Sequence, residues 1–267
     1  MTPLQAVILG FLQGVFEWLP VSSEAVVTLV MTQLFGSGVM ESVNAAIWIH
    51  TGTMLAATVY FRDEILGLID ISWKNKHHPV KIMRKSSETS VIRFLVLSTL
   101  VTGLVGGSIY VFSLEHLVSS PKLFSALTGV ALILTGVLRL YRTEDSHVFT
   151  DVTDKDSLLV GVLQGLSVLP GMSRSGSTTF GLFLREFNAE DAFKLSFLMS
   201  IPAILAANIG INLFSGFSVS SELLLSAAVA FVVGYGTIGT VLKFAEKAEV
   251  SIICFALGAI SFIPLML

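Results

Sequence analysis

Charge is what this sequence has least of. Only 13% of its 267 residues are Asp, Glu, Lys or Arg, about half of the roughly 25% usual in a soluble domain. Hydrophobic residues make up 53%, and the mean hydropathy is +0.82. A surface that meets water on all sides is therefore excluded. Apolar stretches of near-spanning length recur along the whole chain, so the solvent they face is a bilayer. Cysteine is nearly absent. Cys254 stands alone, which excludes an intrachain disulfide and suits a small buried hydrophobe. A formal net charge of −3 offers no basic surface, and no nucleic acid is expected as a partner. The N-terminus lacks a basic n-region, and polar Gln5, Gln13 and Glu17 interrupt its apolar run. It does not read as a signal peptide.

What is present is a run of apolar segments. Six predict full transmembrane helices, at about 43–61, 91–112, 121–141, 192–214, 221–242 and 250–267. Two others are interrupted. Residues 4–16 and 20–35 are split by Trp18-Leu19-Pro20-Val21-Ser22-Ser23, and residues 158–169 and 172–185 by Pro170-Gly171-Met172-Ser173. About a dozen apolar residues ending in a Pro, Gly and Ser break predict a re-entrant half-helix. Irregular backbone at membrane depth survives only inside protein or beside a polar cavity, so two breaks point to one internal site.

Basic residues set the expected orientation. Seven of the 16 Lys and Arg lie in 62–93, and Arg139, Arg142, Lys155, Arg185, Lys194, Lys243 and Lys247 flank the other predicted inner ends. The loops near 36–42 and 215–220 carry none. The positive-inside rule then places both termini outside and the 62–90 loop in the cytoplasm. That loop, with His77, His78 and Pro79, reads as a solvated connector, because nothing near the two histidines has metal-ligand spacing.

The halves also repeat. Gly10-Phe11-Leu12-Gln13-Gly14 matches Gly161-Val162-Leu163-Gln164-Gly165, Leu19-Pro20 matches Leu169-Pro170, and Leu55-Ala56-Ala57 matches Leu205-Ala206-Ala207. Each half holds one hairpin followed by three spanning helices, an odd number, so the second half enters the membrane inverted. The fold expected is all-α integral membrane. Two inverted repeats, about 1–141 and about 158–267, form one membrane domain over 1–267, with the breaks meeting near the midplane.

Few ionisable groups fall within the membrane: Glu17, Glu24, His50 and Arg174. Such groups are costly there and mark function by default. A structural Glu17–Arg174 ion pair locking the halves together is the competing explanation. The second break carries Gly171, Ser173, Arg174, Ser175 and Thr178 at the start of a half-helix. Backbone N–H groups and the helix dipole there favour an anion, glycine permits close approach, and the arginine fork suits phosphate oxygens. These five residues form the expected phosphate site. Beside it, Glu17 and Glu24 would repel a multiply charged ligand unless a divalent cation bridged them, and hard oxygen donors favour Mg²⁺ or Ca²⁺.

The run Pro170-Gly171-Met172-Ser173-Arg174-Ser175-Gly176-Ser177-Thr178 and the run Glu17-Trp18-Leu19-Pro20-Val21-Ser22-Ser23 resemble the two motifs of the undecaprenyl-diphosphate phosphatases associated with bacitracin resistance. Thr51-Gly52-Thr53-Met54-Leu55-Ala56 and Phe197-Leu198-Met199-Ser200-Ile201-Pro202-Ala203 are similar to that family too, and the resemblance runs the whole length. It implies removal of the terminal phosphate from a C55-type prenyl diphosphate at the outer leaflet of the plasma membrane, with a divalent metal, recycling a glycan carrier lipid. It also implies Arg174 as phosphate binder, Ser23 as nucleophile and Glu17 as metal or acid–base residue. Three positions depart from the family: Gln13 stands where a Glu is usual, Glu24 where a Thr is usual, and Val26 where a His is usual. That His would be the natural base for a serine. Glu24 becomes the expected replacement, with direct attack by metal-bound water as the alternative and His50 as a weaker substitute. Expected partners are the prenyl diphosphate and the bilayer, with a homodimer left open. A lipid transporter or flippase is the second function compatible with inverted repeats.

Overall fold

Two serines set the local frame of the molecule. In the computed structural model Ser22 caps a helix over Ser23–Leu29 by accepting from the Ala25 N–H at 3.2 Å, and Ser173 caps one over Arg174–Leu184 by accepting from the Gly176 N–H at 3.1 Å. Each closes a break and leaves its first helical residue, Ser23 or Arg174, at the positive end of a helix. The structure describes residues 1–19, 22–76, 89–110, 147–169 and 171–245, with separate positions between 126 and 140 and between 252 and 262. Most of the expected spans at 121–141 and 250–267, and all of Cys254, His77 and His78, lie outside the described residues.

In chain order the helices are α1 (Pro3–Phe16), α2 (Ser23–Leu29, continued by a π turn over Val30–Leu34), α3 (Val39–Tyr60), α4 (Arg62–Lys74), α5 (Ser90–Ile109), α6 (Asp154–Leu166), α7 (Arg174–Leu184), α8 (Ala189–Ser215) and α9 (Ser221–Ala245). The paired halves α1/α2 and α6/α7 agree with the predicted half-helices. At 14 residues, α1 is about 21 Å long, too short for a hydrocarbon core of about 30 Å. Among the described residues three helices are long and apolar enough to cross: Ser90–Ile109, Glu190–Leu213 and Ser221–Thr240. Leu100, Leu104, Leu213 and Val232 stand exposed on them, as lipid-facing side chains do. The chain is an all-α membrane protein. The 22-residue α3 coincides with an expected span but is more polar, because it carries Asn44, His50, Thr51 and Thr53.

Two crossings hold the short helices in place. α1 packs on α9, where a Cβ on Gly14 would come within 2.8 Å of Val233 Cβ. α6 packs on α5, where a Cβ on Gly165 would come within 2.6 Å of Val105 Cβ. Small residues let the backbones approach, and dispersion then replaces the hydrophobic driving force that lipid cannot supply. Trp18 anchors the first break: its Nε1 donates to the Gly234 carbonyl at 3.1 Å, and its ring meets Phe197 edge-on at 5.2 Å.

The stretch from 62 to 90 is not the simple solvated connector expected. Its first part is helix α4. Ile65 and Leu68 pack against the buried cluster around Phe61, Val91 and Phe94, and Glu64 pairs with Lys194 of α8 at 2.7 Å. Its charge count concealed this apolar face. Arg93 pairs with Asp154, and Arg185 with buried Asp156. Three basic residues assigned to inner ends therefore each meet an acid.

Candidate active site

Glu17 is the centre of the site. It follows α1 and is almost fully buried, and both its carboxylate oxygens are engaged. Oε1 accepts from Arg174 Nη2 at 2.5 Å. Oε2 accepts from Gln13 Nε2 and from the Ser23 hydroxyl, each at 2.7 Å, and lies 3.2 Å from His50 Nε2. One carboxylate thus joins the first break, the second break and α3. Uncompensated, it would be very costly at this depth; the guanidinium and three further polar partners offset that cost. The ion pair weighed as a structural alternative is therefore present, and it sits inside the site rather than apart from it. Arg174 also lines the cavity, and its Nη1 donates to the Ser196 carbonyl at 3.4 Å.

His50 has a fixed orientation. Its Nδ1 lies 2.7 Å from the Ala46 carbonyl oxygen. A carbonyl only accepts, so Nδ1 carries hydrogen. Nε2 faces Glu17 Oε2 at 3.2 Å and a serine oxygen whose hydrogen goes to Glu17, so in this arrangement it donates, and its lone pair is open to the serine only in the neutral ring. That nitrogen is 3.4 Å from Ser23 Oγ. Together with Glu17, which accepts the serine's hydrogen, His50, the weaker substitute in the sequence, thus stands beside that serine. Its signal was a single histidine at mid-depth of a spanning helix. Glu24, expected to act as base, lines the same cavity and makes no hydrogen bond among the described residues.

The cavity measures about 330 Å³. Its polar part contains Glu17, Ser22, Ser23, Glu24, His50, Ser173, Arg174 and Ser175, and Gly103, Gly107, Ala203, Ala207 and Gly210 of α5 and α8 supply smooth apolar wall. Of the expected phosphate residues, Ser173, Arg174 and Ser175 line it. Gly171 and Thr178 stand behind them. Gly171 takes the left-handed φ of +83° that the break requires. Thr178 is fully buried, its hydroxyl donating to the Arg174 carbonyl and lying 2.6 Å from Ser196 Oγ. Ser175 ties the two breaks together by donating to the Leu19 carbonyl at 2.9 Å. Arrays of this kind, an activated hydroxyl beside a cationic helix start, suit transfer of a phosphoryl group.

The family model of the bacitracin resistance protein BacA matches residues 6–260. The chain belongs to the BacA family. It is 40% identical over 263 residues to the undecaprenyl-diphosphatase of Methanococcoides burtonii, covering 98% of each chain. It is 37% identical to that of Haloarcula marismortui, over 96% of this chain and 95% of the relative. To that of Methanothrix thermoacetophila it is 34% identical, over 98% and 96%.

Gln13, where the resemblance implies a glutamate, changes the charge beside Glu17. A second carboxylate there would face Glu17 as a like charge; the amide donates to it instead. The donors for a divalent cation are correspondingly fewer. No group of three or more His, Cys, Asp or Glu is arranged for a metal among the described residues. Glu24 offers a free carboxylate, and Ser22, Ser23, Ser173 and Ser175 offer hydroxyls. Such hard oxygens fit Mg²⁺ or Ca²⁺ shared with the phosphates of a ligand, the usual way Mg²⁺ is held, rather than an ion caged by the chain alone.

Proposed function

We propose that the chain hydrolyses a polyprenyl diphosphate of undecaprenyl type to the monophosphate and inorganic phosphate, recycling a glycan carrier lipid. The observation that carries this is the Ser23 hydroxyl, set between Glu17 and His50 in one cavity with Arg174 and the start of α7. The relatives named undecaprenyl-diphosphatase cover nearly the whole chain and support the same substrate.

The terminal phosphate docks at the N-terminus of α7, held by backbone N–H groups, the Ser173 hydroxyl and the Arg174 fork, while Ser175 keeps its hydrogen on the Leu19 carbonyl. Ser23 Oγ bonds to its phosphorus as His50 Nε2 takes the hydroxyl proton, and the bond to the bridging oxygen breaks. The lipid monophosphate leaves with that electron pair. Glu17 keeps Arg174 and His50 oriented, and its engaged lone pairs make it a poor base. Water then releases phosphate from Ser23. A divalent cation held by Glu24 would neutralise diphosphate charge when bound; Glu17 joins it only by giving up a present partner.

The fold reading behind this is a single membrane domain over 1–267, made of two inverted repeats in the plasma membrane with the site open to the outer face. The matching packing of α1 on α9 and α6 on α5, each through the glycines of the repeated Gly-x-x-Gln-Gly pattern, supports the repeat. The charge distribution supports the orientation.

The test is phosphate release by purified protein across prenyl chain lengths, with and without chelator. Release that chelation abolishes and Mg²⁺ or Ca²⁺ restores is expected. Lipid binding without phosphate release would replace the enzyme with a transporter. Full activity in excess chelator would remove the metal.

A further inference from the structure

We propose that Gln164, with Thr99, holds and orients the water that completes the hydrolysis; this rests on the phosphatase function proposed above. The sequence carries its Gly-x-x-Gln-Gly pattern twice, and the two glutamines meet different surroundings. Gln13 is fully buried behind the site, its Nε2 donating to Glu17 Oε2 at 2.7 Å and to Thr53 Oγ1 at 3.4 Å. Gln164 is also buried, at 2% exposure, yet it lines the cavity.

Its amide orientation is fixed by a neighbour. Thr102 gives its single hydroxyl hydrogen to the Gly161 carbonyl at 3.1 Å. Towards Gln164 it can only accept, and Gln164 Nε2 donates to it at 3.2 Å. Oε1 is thereby left as a pure acceptor. It is buried and has no hydrogen-bond partner among the described residues. The same holds for Thr99 Oγ1, three residues before Thr102 on α5 and part of the same cavity lining. Buried polar groups without partners are rare and ask for one.

The chemistry of Oε1 selects the partner. Ionised phosphate and carboxylate oxygens only accept, so they would meet it lone pair to lone pair. A prenyl chain has no polar hydrogen to offer. Water can donate to Oε1 and accept from the Thr99 hydroxyl. Gln164 lies at the end of α6, and the next polar residue, Ser167, lines the cavity too. At the corresponding place in the first half, Gln13 touches Glu17 itself. The water therefore shares a cavity with Ser23 and Arg174. In the second step its oxygen bonds to the phosphorus on Ser23, and the bond from phosphorus to Oγ breaks. Its proton passes through His50 to Ser23 Oγ, and inorganic phosphate leaves. One hydrogen bond to Oε1 aligns the water while leaving a lone pair for phosphorus. Gln164 is a positioning residue, since it acts through the water.

The experiment compares wild type, Gln164→Leu and Thr99→Val as purified full-length proteins. The substrate is a prenyl diphosphate labelled at its terminal phosphate, with methanol as a competing acceptor. Gln164→Leu should lower kcat about ten- to a hundredfold while KM stays within about twofold. Labelled enzyme should accumulate, and the ratio of methyl phosphate to inorganic phosphate should rise. Thr99→Val, which removes only a hydroxyl, should shift that ratio the same way by less, and it keeps the test open if Gln164→Leu fails to fold. A raised KM with unchanged kcat would make the position a lipid-phosphate contact and overturn the inference. A lower rate with an unchanged product ratio, or no change in either variant, would leave the water structural and overturn it too. Wild type that releases no phosphate would fail the underlying function, an outcome distinct from these.

Discussion

Ser23 gives its one hydrogen to Glu17, while His50 Nε2, which can take that hydrogen when the ring is neutral, lies at 3.4 Å. Removing the acceptor should remove the step. His50→Ala should lower kcat about 10²–10⁴-fold, the usual contribution of a general base; phosphate-release kinetics read it directly. A variant with near-normal kcat would return the role to Glu24. Arg174→Lys keeps the charge but loses the planar fork that serves Glu17 and the phosphate together. It should cost about a hundredfold in kcat/KM, and near-normal turnover would remove Arg174 from the phosphate site. Much of this residue-level picture was legible in the sequence. Glu17, Ser23 and Arg174 stood out because ionisable and hydroxyl groups beside membrane breaks are rare and costly. The nearness of His50 to Ser23 was not legible, for a physical reason. The histidine lies 27 residues from Ser23 on another helix, and only the packing of α3 against α2 brings the two together.

At the scale of the element, the short helices depend on close crossings. Gly165→Val would drive a branched side chain into Val105, where even a Cβ comes within 2.6 Å. Overpacking of this kind costs about 1–3 kcal/mol. The variant should melt at lower temperature in detergent and lose activity in step with α6 moving off α5. Unchanged melting and activity would mean that the crossing tolerates separation. The half-helices themselves were readable, because Pro, Gly and Ser at the end of a dozen apolar residues leave few other structures possible in lipid. Helix α4 was not. Five of its 13 residues are charged, and the apolar pair Ile65 and Leu68 gains meaning only once Phe61, Val91 and Phe94 are known to lie beneath it.

For the whole molecule, orientation follows from where the basic residues gather. A cysteine placed at Lys76, exposed just beyond α4, in a Cys254→Ala background should label from the cytoplasmic face only. Labelling from the outer face would invert the topology and move the site to the other leaflet. The larger claim is that two breaks, far apart in sequence, form one phosphatase centre around Ser23. The most direct measurement is release of labelled terminal phosphate from a polyprenyl diphosphate by wild type and Ser23→Ala, each reconstituted in liposomes. The account predicts stoichiometric phosphate and lipid monophosphate from wild type, and a rate lower by about a thousandfold or more in the variant. Comparable release from both proteins would contradict it.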